Sequence, residues 1–178
     1  MPRYIILLRG INVSGKNILR MDALRAALND AGFGEVTSYL QSGNLSVTTD
    51  LDAANVAHRI HEVIRNRFEL TVPVQVLTEN QLIRTIDAVP FTAEELENHK
   101  AVHVFFLTPP SEPQSVDFSE RLHPSEKIKI THSAVYLLSP QGIGTSKITN
   151  VLIEKSLKTM ATARNWKTVL ALRELVRQ

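Results

Sequence analysis

Five consecutive apolar residues, Tyr4 to Leu8, open the chain with the pattern of a buried strand. Met21, Leu24, Leu28 and Ala31 then recur at helical spacing until Gly32 stops the run. VTSYLQ and NLSVTT read as two strands of a hairpin turning at Ser42-Gly43. Asp52 stands where it can cap a helix whose Val56, Ile60, Val63, Ile64 and Phe68 form an apolar stripe, and VPVQVL closes the series as a strand. The order β-α-β-β-α-β over residues 4 to 77 is that of a ferredoxin-like split βαβ.

The second half echoes this plan incompletely. A helix from about Glu79 to Ala88 and the acidic stretch Thr92 to Lys100 lead to the strand AVHVFFL, after which Pro109, Pro110 and Pro113 predict a loop. KIKIT and AVYLL flank His132-Ser133 as a second hairpin, Ser146 stands as a cap for a helix to about Thr159, and a final helix runs from about Trp166 to Val176. The expected fold is α/β (α+β), with two ferredoxin-like halves at 1–90 and 100–178 in one compact unit, mostly antiparallel sheets and helices on one face of each.

Composition narrows the class. The 178 residues are 43% apolar and 21% charged, with no unbroken apolar run longer than Tyr4 to Leu8, which excludes wholesale disorder and a helical membrane span. The absence of cysteine excludes a disulfide framework and thiolate metal sites, and no signal-peptide core is recognisable, so a cytoplasmic protein is expected. Net charge is only +2. Residues 1–20 nevertheless hold four bases and no acid, residues 21–100 are acidic, and residues 101–178 are again basic, so the two ends favour anions.

Three segments carry candidate chemistry. RGINVSGKN, residues 9 to 17, follows the first strand and fits the phosphate-loop spacing through Gly10, Gly15 and Lys16. Such a loop converges backbone amides on phosphate oxygens and uses a hydroxyl to hold magnesium, but Asn17 stands where the hydroxyl belongs and no strand ends in a metal-binding Asp. A looser anion site with Arg9, Asn12 and Lys16, or a plain turn, remains. In YLQSGN, Gln41, Ser42 and Asn44 surround Gly43, a pattern that turn chemistry also produces. In ATARNWKTV, Asn165 or Thr162 can cap the last helix beside Arg164, Trp166 and Lys167, aiming amides and the positive helix end at the same place; a capped helix with Trp166 in the core is the simpler alternative.

His58 and His61 share a helix face with Arg65, which argues against a cation, so no metal site and no cofactor are expected. The set YIILLRGINVSGKN, MDALRAAL with AGF, TSYLQSGN, and TARNW with KT resembles the bacterial family known as domain of unknown function 1697 over nearly the whole chain. The resemblance implies two similar intertwined α/β units related by a pseudo-dyad, with Leu8 to Asn17, Tyr39 to Asn44 and Thr162 to Trp166 as motif positions and no established activity.

The expected function is binding of a phosphorylated or otherwise anionic ligand, a nucleotide or a nucleic-acid backbone. The partner is then a phosphate-bearing small molecule or nucleic acid, with no membrane partner. A small enzyme acting on an anionic substrate, and a structural or interaction protein whose motifs serve folding, are the alternatives.

Overall fold

The computed structural model describes residues 1–108 and 116–177, so the expected loop at Pro109, Pro110 and Pro113 lies outside the described residues. Two compact units emerge. The first comprises Met1–Arg84 together with the stretch from Ala171 onward, and the second comprises Thr85–Leu170.

The first unit runs β1 (Arg3–Leu8), α1 (Met21–Asp30), β2 (Gly34–Tyr39), β3 (Asn44–Thr48), α2 (Ala53–Phe68), β4 (Val74–Thr78) and the start of α3 (Glu79–Asp87). Its four strands form an antiparallel sheet in the order β2-β3-β1-β4. Tyr4, Ile6, Leu8, Leu45 and Val47 pack with Leu24, Leu28, Val56, Ile60 and Ile64 of α1 and α2 in one core. Ile5 and Leu7, on the opposite face of β1, are equally buried, which is why the opening run shows no polar alternation. Asp52 caps α2 by accepting from the Asn55 amide at 2.9 Å.

The second unit contains α4 (Ala93–Glu97), β5 (Val102–Thr108), a 3-10 turn at Ser119–Arg121, β6 (Lys127–Ile130), β7 (Ala134–Leu138), a 3-10 turn at Ile143–Thr145, α5 (Asn150–Leu157), β8 (Met160–Asn165) and the start of α6 (Trp166–Arg177). Its sheet order, β6-β7-β5-β8, reproduces that of the first unit strand for strand. Phe105, Leu107, Val135 and Leu137 form its core with Ile153 and Leu157. The two-half α+β reading holds.

Three local expectations need correction. MATARN is a strand, not the approach to a helix: β8 pairs with β5 from Thr108↔Met160 to His103↔Asn165, supplying the fourth strand of the second sheet. The first hairpin turns over four residues, Leu40 to Gly43, because Tyr39 pairs directly with Asn44. The cap of α5 is Thr149, whose hydroxyl accepts from the Leu152 amide at 3.2 Å, and Ser146 instead bonds the Ile148 amide. The second hairpin does close over His132-Ser133, where the Thr131 amide donates to the Ala134 carbonyl at 2.8 Å. Among the described residues, no helix is long and apolar enough to cross a membrane.

Candidate functional site

The glycine-rich segment after β1 is a miniature hairpin. The Lys16 amide donates to the Val13 carbonyl at 2.9 Å, and the Asn12 amide donates to the Asn17 carbonyl at 3.1 Å. Ser14 (φ 51°) and Gly15 (φ 72°) fill the two central positions with the positive φ pair of a type I′ turn. Both are exposed, and their amides have no protein partner among the described residues. A cradle closing around phosphate would instead wrap these amides inward, so the spacing Gly10, Gly15, Lys16 arises here from hairpin geometry.

Asn12 clamps this hairpin to its surroundings. Its Nδ2 donates to the carbonyls of Leu19 (2.8 Å) and Gln41 (2.6 Å), and its Oδ1 accepts from the Leu19 amide (2.8 Å). Asn17 Nδ2 donates to the Gly10 carbonyl at 2.8 Å. Gln41 in turn serves α1: Arg20 at its N-cap makes no side-chain cap, and the Met21 amide donates to Gln41 Oε1 at 3.1 Å. Asn44 is wholly buried and donates to the Tyr39 carbonyl and the Ser42 hydroxyl. The amide side chains of both motifs are therefore committed to the fold, and they join the RGINVSGKN loop and the YLQSGN turn into one tip of the first unit.

Gly43 seals the joint. Its carbonyl accepts from the Leu8 amide at 2.8 Å, its φ is +82°, and a Cβ there would stand 2.6 Å from the Leu8 Cβ. Seven non-glycine residues among those described adopt positive φ, and four of them, Asn12, Ser14, Asn17 and Leu40, belong to this tip. For Leu40 this conformation carries a real steric cost.

Lys16 is exposed at the tip and Arg9 is partly buried at its base, where the Arg9 amide donates to the Pro73 carbonyl. Arg20 bonds Asp22 at 2.7 Å, both exposed. Sequence reasoning missed three further residues: Val13, Ile18 and Leu40 are 60%, 63% and 59% exposed. Their only trace in the sequence is an apolar residue at places where the loop has no helical or strand period to absorb it.

The third motif lies in the second unit. Thr162 and Arg164 are on β8, opposite Phe106 and Val104 of β5. Asn165 caps α6 by accepting from the Thr168 amide at 2.9 Å, and Trp166 is only 5% exposed, so it belongs to the core. Arg164 is half-buried and donates to the Ala163 carbonyl; burial lowers its pKa to about 10, which leaves it positive at neutral pH. Lys167 is exposed on the first turn of α6.

The sequence model described as "protein of unknown function (DUF1697)" matches residues 1–136. The chain belongs to the DUF1697 family. No functionally curated protein matches it. The solved structure of conserved bacterial protein SP0830 from Streptococcus pneumoniae is similar over 98% of both chains, with a TM-score of 0.74 and 21% identity. That likeness shows a shared fold.

A cavity of about 460 Å³ in the second unit is lined by Glu95 and Lys127 among others, but these two pair with each other and Glu95 also closes the Thr92 capping box. His61 bonds the Val72 carbonyl and His58 faces Glu62, and no three potential metal ligands converge among the described residues.

Proposed function

We propose that the first unit is a binding module whose clamped tip, residues 9–20 with 39–44, takes a phosphate-bearing ligand. The observation that supports this reading is the concentration of left-handed backbone at one exposed place. Strain of this kind persists only where the surrounding structure over-determines it, as the bonds of Asn12, Asn17 and Gln41 do, and it gathers at sites that must present a fixed shape. The chemistry presented is cationic and donor-rich: Lys16 beside the exposed amides of Ser14 and Gly15, with Arg9 at the base. An oxyanion accepts from such groups.

Titration of the isotopically labelled full chain with pyrophosphate tests the reading. Amide resonances of Ser14, Gly15 and Lys16 are expected to shift together, with the effect fading as salt rises and falling strongly in Lys16→Ala. Shifts spread evenly over the basic surface, or none at all, would overturn it.

A further inference from the structure

We infer that the phosphate met by this tip is that of an anionic lipid headgroup, so that the first unit docks on a membrane surface through residues 13–18 and 40. This inference rests on the phosphate-binding reading above and adds its source. Its own observation is the trio of exposed aliphatic side chains. Val13 follows Asn12 in the chain, Ile18 lies between Asn17 and Leu19, and Leu40 precedes Gln41. Asn17, Leu19 and Gln41 are the hydrogen-bond partners of Asn12, so all three aliphatic residues hang from one clamp. Each remains about three-fifths exposed.

Three occupants compete for such a surface. Single-stranded nucleic acid is held by stacking its bases on aromatic rings, and the exposed large apolar residues of the described chain include no aromatic. A second copy of the chain needs an interface of roughly 800 Å² per partner, far beyond what three aliphatic side chains supply. An anionic bilayer asks for the combination present: apolar groups that enter the acyl boundary, cations that meet the phosphates, and few acids nearby. Residues 9–20 carry Arg9, Lys16 and Arg20 and no acid; Arg20 is paired with Asp22, the next acid along the chain, which leaves Lys16 as the exposed cation of the hairpin. The rigid clamp serves the same end, because a backbone already fixed in place loses little freedom on insertion. The sequence leads to the opposite expectation, that of no membrane partner; the exposure of the three residues is what argues against it.

Co-sedimentation of the full chain with vesicles tests the inference. With vesicles containing about one-third phosphatidylglycerol, the protein should sediment, and it should remain in solution with pure phosphatidylcholine or at about 1 M salt. Val13→Ser, Ile18→Ser and Leu40→Ser combined should weaken vesicle binding by at least about tenfold. Should that variant melt early, broadening of the tip amides by spin-labelled lipid in the unaltered protein gives the same answer. Equal sedimentation of the triple variant, equal binding to neutral vesicles, or short RNA binding in place of vesicles would overturn the membrane inference. Pyrophosphate shifts without vesicle binding would overturn it and leave the phosphate reading standing; absence of both would overturn the two together.

Discussion

Asn12 and Gln41 hold each other across 29 positions of sequence. Asn12 Nδ2 donates to the Gln41 carbonyl, while Gln41 Oε1 accepts from the Met21 amide and so caps the helix that follows the loop. One residue thus fixes the hairpin and the other the first turn of α1. Replacing Asn12 by Ala removes three side-chain hydrogen bonds and a residue type that tolerates positive φ, and should cost about 2–3 kcal/mol in chemical denaturation. Asn12→Asp keeps only the acceptor and turns a carboxylate toward two carbonyls, so it should be at least as damaging. A loss within a few tenths of a kcal/mol for either would show that the clamp is not needed.

Gly43 presents a steric argument that no hydrogen bond can relieve. At φ +82°, with backbone-near atoms of Leu8 only 2.6 Å from a Cβ, any side chain must displace a wholly buried strand residue. Gly43→Val should destabilise by about 3 kcal/mol or more, and Gly43→Ala by a large part of that, since the first carbon already collides. Unchanged melting of Gly43→Ala would refute this packing.

The difference between what was legible and what was not follows from where the information sits. Helices α1 and α2 were readable because Leu24, Leu28, Val56, Ile60 and Ile64 repeat at helical spacing, which is local. β8 was not, because Met, Ala, Arg and Asn carry little preference for a strand, and Met160–Asn165 is extended through its pairing with the distant β5. The tip was legible as motif but not as shape. Gly10 and Gly15 fit a phosphate loop in sequence, yet Ser14-Gly15 is also a turn dipeptide, and only the Val13–Lys16 bond decides between them. Exposure of Val13, Ile18 and Leu40 is a property of the folded surface, so no periodicity announced it.

Tyr136 offers a pH test of the second unit. It is 1% exposed and its hydroxyl donates to the Thr85 carbonyl at 2.7 Å. Burial raises its pKa from 10.0 to about 12. Because the folded-state value lies above the unfolded one, the stabilisation is complete below pH 10 and disappears as pH rises through about 12, a loss of roughly 3 kcal/mol. Phenolate absorbance should therefore show one tyrosine ionising late, together with unfolding. In Tyr136→Phe this late step should vanish, and the fold should lose about 1–2 kcal/mol at neutral pH because the buried bond to the Thr85 carbonyl is lost. Ionisation of Tyr136 near pH 10 without unfolding would contradict the burial of this phenol.

Glu126 sets the opposite, acid-side dependence. Burial alone would raise its pKa, but the His123 amide at 3.0 Å, the Ser139 hydroxyl at 2.7 Å and the Ser146 hydroxyl hold the ionised form, and the balance lowers it. Its stabilisation is present above the ordinary carboxylate range and is lost as pH falls through the depressed value. Glu126→Gln should lower stability at neutral pH and flatten the fall in stability on acidification. An acid limb of the stability curve as steep in Glu126→Gln as in the unaltered protein would rule this group out as its source.

The last expectation concerns the chemistry that the RGINVSGKN spacing suggests most directly. Hydrolysis of a nucleoside triphosphate needs amides wrapped around the phosphates, a lysine reaching into that cradle and a hydroxyl on magnesium. Lys16 instead sits across a two-stranded ladder from Val13, and the Asn17 side chain, where the hydroxyl would stand, is bound to the Gly10 carbonyl. Each replacement points the same way: the tip meets a phosphate from outside and surrounds none. Purified protein should release no phosphate from ATP or GTP in a magnesium-dependent manner, measured colorimetrically over hours. Turnover that requires magnesium and disappears in Lys16→Ala would mean that the hairpin opens into a true phosphate loop on binding, and the rigid-tip description would fall with it.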